Sequence, residues 1–153
     1  MSAKGQFFSQ WKSLNEFIIK IIFMGLFSGL FGGSSNEGKE EKVFPWISLT
    51  SVDQLSEIEE KSKSKPQLIF KHSTTCGISR MVIRTFTNTF EFTPEEVDVY
   101  YLDLHSYRDV SNETGYKFQV LHQSPQLLII KNGIAVANAS HGGINDMNLS
   151  NLI

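Results

Sequence analysis

Residues 67–79 read QLIFKHSTTCGIS, an apolar run and a short polar turn that lead into Cys76, the only cysteine of the chain. The run from Gln67 to His72 is typical of a buried β-strand. From Cys76 to Phe90 the apolar residues recur at steps of four, which places them on one face of a helix. These residues are Ile78, Val82, Phe86 and Phe90. The stretch therefore predicts a strand followed by a helix, with Cys76 at the helix start.

Cys76 begins the pattern Cys-x-x-Ser, because Ser79 stands where a redox Cys-x-x-Cys motif has its second thiol. A helix N-terminus offers unpaired N–H groups and partial positive charge, which stabilise a thiolate. We expect the Ser79 hydroxyl to donate to the sulfur, although it cannot attack a disulfide. A lone cysteine elsewhere is more often a small buried apolar residue. At this position Cys76 is predicted to act as a monothiol in thiol–disulfide exchange.

Strand and helix signals alternate outward from this stretch. Asn132-Gly133 between two apolar runs predicts a hairpin, and the strands on either side of the Cys76 helix predict a parallel, right-handed β-α-β unit. In chain order the predicted elements are a strand at 44–49, a helix begun by a capping box at 51–54 with the stripe Val52, Leu55 and Ile58, a strand at 67–72, a helix at 76–90, a strand at 97–104, a short helix at 106–114 stopped by Gly115, strands at 126–130 and 134–140, and a last helix carrying Ile144, Met147, Leu149 and Leu152.

Composition bounds the function only weakly. The chain has 153 residues, enough for one domain with a sizeable core, and its formal charge of −2 gives no electrostatic reason to expect a nucleic-acid partner. A single cysteine cannot form an internal disulfide, which favours a reducing cytoplasm. The spacings of the four histidines match no zinc pattern, so no metal and no bound cofactor are predicted. They are His72, His105, His122 and His141.

Residues 1–42 differ from the rest of the chain. The apolar run 17–31 is interrupted by a lysine and a serine and is shorter than the roughly 20 residues that cross a bilayer. A signal peptide is not favoured, because no small-x-small cleavage site follows. Two hypotheses stand level: a peripheral membrane anchor within residues 1–31, and translation that begins at Met24. A polar, flexible linker then leads to a folded domain at residues 43–153.

The chain resembles the thioredoxin superfamily in three features: the order of its elements, the strand before Cys-x-x-Ser and the Ser-Pro pair before a hairpin. Within it, three segments resemble the YtxJ-like monothiol bacilliredoxins of the bacillithiol system. They are KHSTTCGIS at 71–79, HQSPQ at 122–126 and Ser140-His141. The resemblance covers about 43–153 and implies an α/β, thioredoxin-like fold: a central mixed β-sheet flanked by helices, with an extra N-terminal strand and helix. Gly77 departs from the proline usual in this family.

The resemblance also implies a reaction and a site. It implies removal of bacillithiol, a conjugate of cysteine, glucosamine and malate, from S-thiolated client proteins by a cytoplasmic monomer, with bacillithiol as co-substrate. Pro125 is expected to be cis and to face Cys76, and Ser124 to offer its backbone to an extended substrate. Thr75, Gly77 and Ser79 are predicted to support the thiolate. Substrate contacts are predicted for Ser124, Pro125, His122 and Arg80.

Two other functions fit the sequence less well. Cys-Gly-Ile-Ser also resembles the Cys-Gly-Phe-Ser motif of monothiol glutaredoxins, which hold an iron–sulfur cluster between two subunits with glutathione. Gly77 favours that alternative, whereas the proline loop His-Gln-Ser-Pro-Gln does not match the Trp-Pro-Thr type of those glutaredoxins. The second alternative is a redox-silent thioredoxin-like module that binds peptides. If Cys76 is alkylated slowly, and the rate depends on pH as it does for an ordinary thiol, the result would favour the silent module.

Overall fold

The computed structural model describes residues 43–153, so the hypotheses about the anchor, the linker and the start at Met24 concern residues outside that range. Within it, no helix has the length and apolarity needed to cross a membrane. The elements are β1 Trp46–Ser48, α1 Asp53–Lys61, β2 Gln67–His72, α2 Gly77–Thr89, β3 Asp98–Asp103, α3 Arg108–Phe118, β4 Gln126–Lys131, β5 Ile134–Ser140, and 3₁₀ turns at His141–Ile144 and Leu149–Asn151.

The five strands form one mixed sheet in the order β1-β3-β2-β4-β5. Strands β1, β3 and β2 run parallel, whereas β4 and β5 are antiparallel to their neighbours. The predicted central mixed sheet is confirmed, and β1 and α1 are the extra N-terminal strand and helix. The hairpin is also confirmed, since Asn132 and Gly133 both have the positive φ that a type I′ turn requires.

Helices cover both faces of the sheet, and alternating residues of β2 point to opposite faces. On one face, Ile69 packs with α1 and α3, and we call this the α3 face. On the other, Leu68 and Phe70 pack with α2, and we call this the α2 face. All six residues of β2 are buried, as expected for a central strand covered on both sides. Consecutive residues of one strand therefore serve two separate sites at its end.

The predicted helix stripes are wrong at their first residues. Val52 is 40 % exposed and Ile78 is 54 % exposed, whereas Ser79 is buried. Val52 lies before α1 as its N-cap residue. In α2 each step of four turns the helix by about 40°, so a stripe at that spacing drifts away from the core along its length. Half of the predicted capping box forms, because the Ser51 N–H donates to Gln54 Oε1 at 3.0 Å.

Two predicted helix ends are also wrong. Gly115 does not stop α3, which continues to Phe118 and closes with Gln119 at φ 56°. A Cβ on Gly115 would lie 3.0 Å from the carbonyl oxygen of Val120, so glycine lets the chain fold back against the helix. The last predicted α-helix consists of 3₁₀ turns, because its glycine- and asparagine-rich sequence favours helix poorly. Ile144 nevertheless packs in the core as expected.

Candidate active site

Cys76 is the N-cap residue of α2, which confirms the predicted placement at a helix start. Its backbone is extended, its N–H donates to the Ser73 carbonyl at 3.2 Å, and its carbonyl accepts from the Arg80 N–H at 3.1 Å. The thiol is free, and the residue is partly exposed. The residue therefore stands at the positive end of α2, although its side chain makes no capping hydrogen bond to the helix N–H groups in residues 43–153.

Ser79, a buried residue of α2, supports the loop before Cys76. Its buried hydroxyl accepts a hydrogen bond from the Ser73 N–H at 3.1 Å and lies 2.8 Å from Nδ1 of His72. Burial lowers the pKa of His72, against the opposing charge of Asp103, so the imidazole is neutral at pH 7. In residues 43–153 the hydroxyl has no hydrogen bond to the sulfur, so the expected direct donation from Ser79 is not the arrangement seen here.

A second set of hydrogen bonds holds the same loop from the side. Nε2 of His105 lies 2.9 Å from the Ser73 hydroxyl and 3.0 Å from the Thr75 hydroxyl. The backbone N–H of His105 donates to Asp103 Oδ1 at 3.0 Å. Thr75 is thus a positioning residue for the Cys76 loop. His105 was not among the predicted site residues, and its only signal in the sequence is its place directly after a predicted strand.

The prolyl loop lies at the same end of the sheet. The Ser124-Pro125 peptide bond is cis, which confirms the expectation from the resemblance. Lys71 pairs with Gln126 in the β2–β4 register, so Pro125 lies level with His72, shortly before Cys76 in the chain. Pro125 is buried, and its carbonyl accepts from the His141 N–H at 3.0 Å. Ser124 is half-buried, and its hydroxyl is buried without a hydrogen-bond partner in residues 43–153.

A family comparison agrees with this geometry. Residues 47–149 match the family described as monothiol bacilliredoxin BrxC. The matched range includes the Cys76 loop, the prolyl loop and every residue of the sheet except the first. The chain belongs to the monothiol bacilliredoxin family. This confirms the resemblance drawn from residues 71–79 and 122–126, and it makes the protein a member of a thiol-redox family.

Solved structures place the bacilliredoxin in the thioredoxin fold. One, described as a candidate oxidoreductase with a thioredoxin fold, is 34% identical with a TM-score of 0.60, over 70% of this chain and 92% of the other. Thioredoxin from Trypanosoma brucei brucei is 20% identical with a TM-score of 0.55, over 75% and 97% of the two chains. Thioredoxin from Malassezia sympodialis is 20% identical with a TM-score of 0.54, over 67% and 84%. The two thioredoxins show the fold alone.

Gly77 and Arg80 of the bacilliredoxin lie beside Cys76 on the first turn of α2, and both are exposed. A Cβ on Gly77 would meet nothing within 4 Å, so the surface over the thiol is open at this point. The Arg80 charge helps to lower the pKa of His72, after burial. A substrate role for either residue stays a prediction.

His122 lies on the other face of the sheet from the Cys76 helix. Its Nδ1 is 2.8 Å from Nζ of Lys71, whose ammonium also donates to the Ser111 carbonyl at 3.3 Å. Lys71 is only 1 % exposed, and burial lowers its pKa to about 8. Nothing in the sequence marks Lys71 as more than a strand residue of the motif, because its partner His122 follows 51 positions later.

Proposed function

We propose that this bacilliredoxin removes a low-molecular-weight thiol, bacillithiol, from mixed disulfides of client proteins in the cytoplasm, acting as a monomer. One observation carries the proposal. The only thiol of the chain caps α2, is partly exposed, and has a serine in place of a resolving cysteine. Such a site can exchange one disulfide for another but cannot close an internal disulfide.

The exchange has two steps. The Cys76 thiolate attacks the small-thiol sulfur of the mixed disulfide. A bond forms between Cys76 Sγ and that sulfur, while the bond between that sulfur and the client's sulfur breaks. The client leaves as a thiolate and takes a proton from solvent. A second small-thiol thiolate, or a reductase thiolate, then attacks the small-thiol sulfur of the adduct, so that a new disulfide with the small thiol forms and Cys76 leaves as the thiolate. Helix-terminal N–H groups stabilise the anionic sulfur before the first step and after the second.

Client binding is supported by the surface around the thiol. Ile78 and Met81 on α2 are 54% and 65% exposed and follow closely after Cys76 in the chain. They offer an apolar contact to an unfolded or extended client segment. Ser124, at the start of β4, can add backbone hydrogen bonds as a strand edge does. Neither contact selects one sequence, which suits an enzyme that serves many clients.

The test is thiol release from a client loaded with bacillithiol or glutathione. We expect Cys76→Ser to abolish release, and mass spectrometry of the unaltered protein to find the small thiol on Cys76. The adduct formed faster identifies the physiological thiol. Release that persists in Cys76→Ser contradicts the proposal, as does a coloured, oxygen-sensitive dimer after anaerobic reconstitution with iron and sulfide.

A relocated thiol is the matched control. Ser64→Cys in the Cys76→Ser background restores one exposed thiol, beyond the end of α1 and shortly before β2 begins. We expect this variant to alkylate but to release the small thiol no faster than Cys76→Ser. Equal rescue would show that any exposed thiol suffices and that the helix start contributes nothing.

A further inference from the structure

A pocket of about 280 Å³ opens on the α3 face, and the proposed reaction does not yet use it. It is lined by Leu104, Arg108, Ser111, Asn112 and His122. Four of these five side chains are polar, and one is cationic. The pocket is therefore suited to a small polar group rather than to an apolar side chain.

The charge around the pocket is positive, and residues 43–153 supply no carboxylate to balance it. Lys71 lies beneath it, in contact with His122, and Arg108 lies on its wall. In residues 43–153 neither cation forms an ion pair with a carboxylate. Burial lowers the pKa of His122, and the charges of Lys71 and Arg108 lower it further. A buried ammonium normally has an anionic partner, so an anion from outside residues 43–153 is expected here.

The polar groups of the pocket are hydrogen-bond donors. Because a lysine ammonium can only donate, Nδ1 of His122 accepts from Lys71, and its ring proton is on Nε2. Ser111 is 1 % exposed and its hydroxyl has no hydrogen-bond partner within residues 43–153, although its carbonyl accepts from Lys71. Arg108 and Asn112 add further N–H donors at the rim. An oxyanion is the group that accepts from all of them.

Two short connections join the pocket to the Cys76 loop. The Leu104 N–H donates to the His72 carbonyl at 3.1 Å, and His105, the next residue, bonds to the Thr75 hydroxyl. On the other side, His122 stands two residues before Ser124, the residue expected to contact substrate. The pocket residues are therefore linked to both loops of the thiol site, at the same end of the sheet as Cys76.

We propose that this pocket binds a carboxylate of the small thiol whose sulfur reacts with Cys76. The assignment rests on the proposed function and adds the anchor that orients the thiol. Arg108 and His122 hold the carboxylate, the unpaired hydroxyl of Ser111 donates to it, and Lys71 supplies the charge behind them. A thiol without a carboxylate, such as cysteamine, lacks this anchor.

Binding is tested first with unreactive probes, so that the result does not depend on exchange. Chemical shifts of the Arg108 and His122 amides are followed during titration with malate and S-methylglutathione, with the diethyl ester of S-methylglutathione as the match that keeps the amino group but lacks carboxylates. We expect saturable shifts with the acids and none with the ester. Arg108→Gln should weaken binding about tenfold, the value of one charge-assisted hydrogen bond.

Arg84→Gln is the matched control, since it removes an exposed arginine from α2 and should leave binding unchanged. Ser111→Ala supplies a second variant inside the pocket and should weaken binding several-fold. Loss of binding in Arg80→Gln but not in Arg108→Gln would overturn the proposal and place the carboxylate beside Cys76. Absence of saturable shifts with both acids would overturn it outright.

Kinetics then connect the pocket with exchange. With a client carrying glutathione, Arg108→Gln should raise KM about tenfold and leave kcat near its original value. With the same client carrying cysteamine, the variant and the original protein should be equal. Equal loss with both adducts would overturn the anchor role. If the original protein releases neither thiol, the proposed function fails, and the binding titration still decides whether the pocket takes carboxylates.

Discussion

The two faces of the sheet meet at the end of β2, and they differ in whether their buried polar groups have hydrogen-bond partners. On the α2 face, His72, Ser79 and Ser73 bond to one another and leave the Cys76 sulfur without a side-chain hydrogen bond in residues 43–153. On the α3 face, Lys71 brings a positive charge beside Ser111, whose hydroxyl is unpaired. Lys71 and His72 are neighbours in the chain, and strand alternation alone separates the two environments.

The difference indicates a division of labour. A neutral network whose polar groups are all hydrogen-bonded is rigid and carries little uncompensated desolvation free energy, which suits the loop that positions a reactive thiol. A buried donor without a partner costs about 1–3 kcal/mol, and a buried charge costs more. The α3 face carries both costs in the unliganded protein. A bound oxyanion would remove them, which is the physical basis for assigning the small thiol's carboxylate to that face.

The largest expected effect concerns the charge of Lys71. Burial lowers its pKa from 10.5 to about 8, so between these pH values the unfolded chain holds a proton that the folded protein lacks. Unfolding then takes up a proton, and the free energy of unfolding rises with pH. At about 1.4 kcal/mol per pH unit the rise is roughly 3 kcal/mol across this interval. Urea unfolding of Lys71→Met should lack the rise.

The comparison needs a lysine that is not buried. Lys61 is exposed at the end of α1, so Lys61→Met should keep the pH dependence of the original protein. Both variants lose one formal charge, and only their burial differs. If the free energy of unfolding depends on pH in the same way for Lys71→Met and the original protein, burial on the α3 face does not lower the pKa of Lys71.

A smaller effect is expected from a pair of buried serines. Ser79 has two hydrogen bonds and Ser111 has an unpaired hydroxyl, although both lie in helices and are almost fully buried. Ser79→Ala leaves the Ser73 N–H without its partner and should lower the free energy of unfolding by about 1–3 kcal/mol. Ser111→Ala removes only an unpaired group and should change it by less than about 0.5 kcal/mol, or raise it.

Both serine variants also separate stability from exchange. Ser79→Ala should slow release of the small thiol without abolishing it, because the loop before Cys76 loses one support while His105 still holds Thr75. Unfolding in urea and release from a loaded client are measured on the same samples. Similar stability losses in the two variants would remove the contrast between a satisfied and an unsatisfied face.

The parts of this contrast differ in how well the sequence predicts them. Local patterns predicted β2, the Asn132-Gly133 hairpin and Cys76 at a helix start, because each depends on neighbouring residues. The contacts of Lys71 with His122 and of Thr75 with His105 depend on strand register and connect residues 51 and 30 positions apart. The buried position of Ser79 was missed because a spacing of four directs attention to Ile78.

The smallest expected effect is a gain in stability at Gly77, the first residue of α2. Proline is favoured at this position, because the N–H it removes has no partner within the helix. Cys76 already has the extended backbone, φ −96° and ψ 121°, that a following proline requires, and a side chain at Gly77 meets open space. Gly77→Pro should therefore raise the free energy of unfolding by about 0.4–1 kcal/mol, measured in urea.

The same substitution should affect the thiol in the opposite sense. Proline removes one N–H of the helix start that we propose stabilises the Cys76 thiolate, so alkylation at neutral pH should slow by a few fold. Gly77→Ala is the control, because it restricts the unfolded chain but keeps the N–H. If both variants alkylate at the same rate, the N–H of residue 77 contributes nothing to the thiolate, and its stabilisation comes from the remaining N–H groups of the first turn.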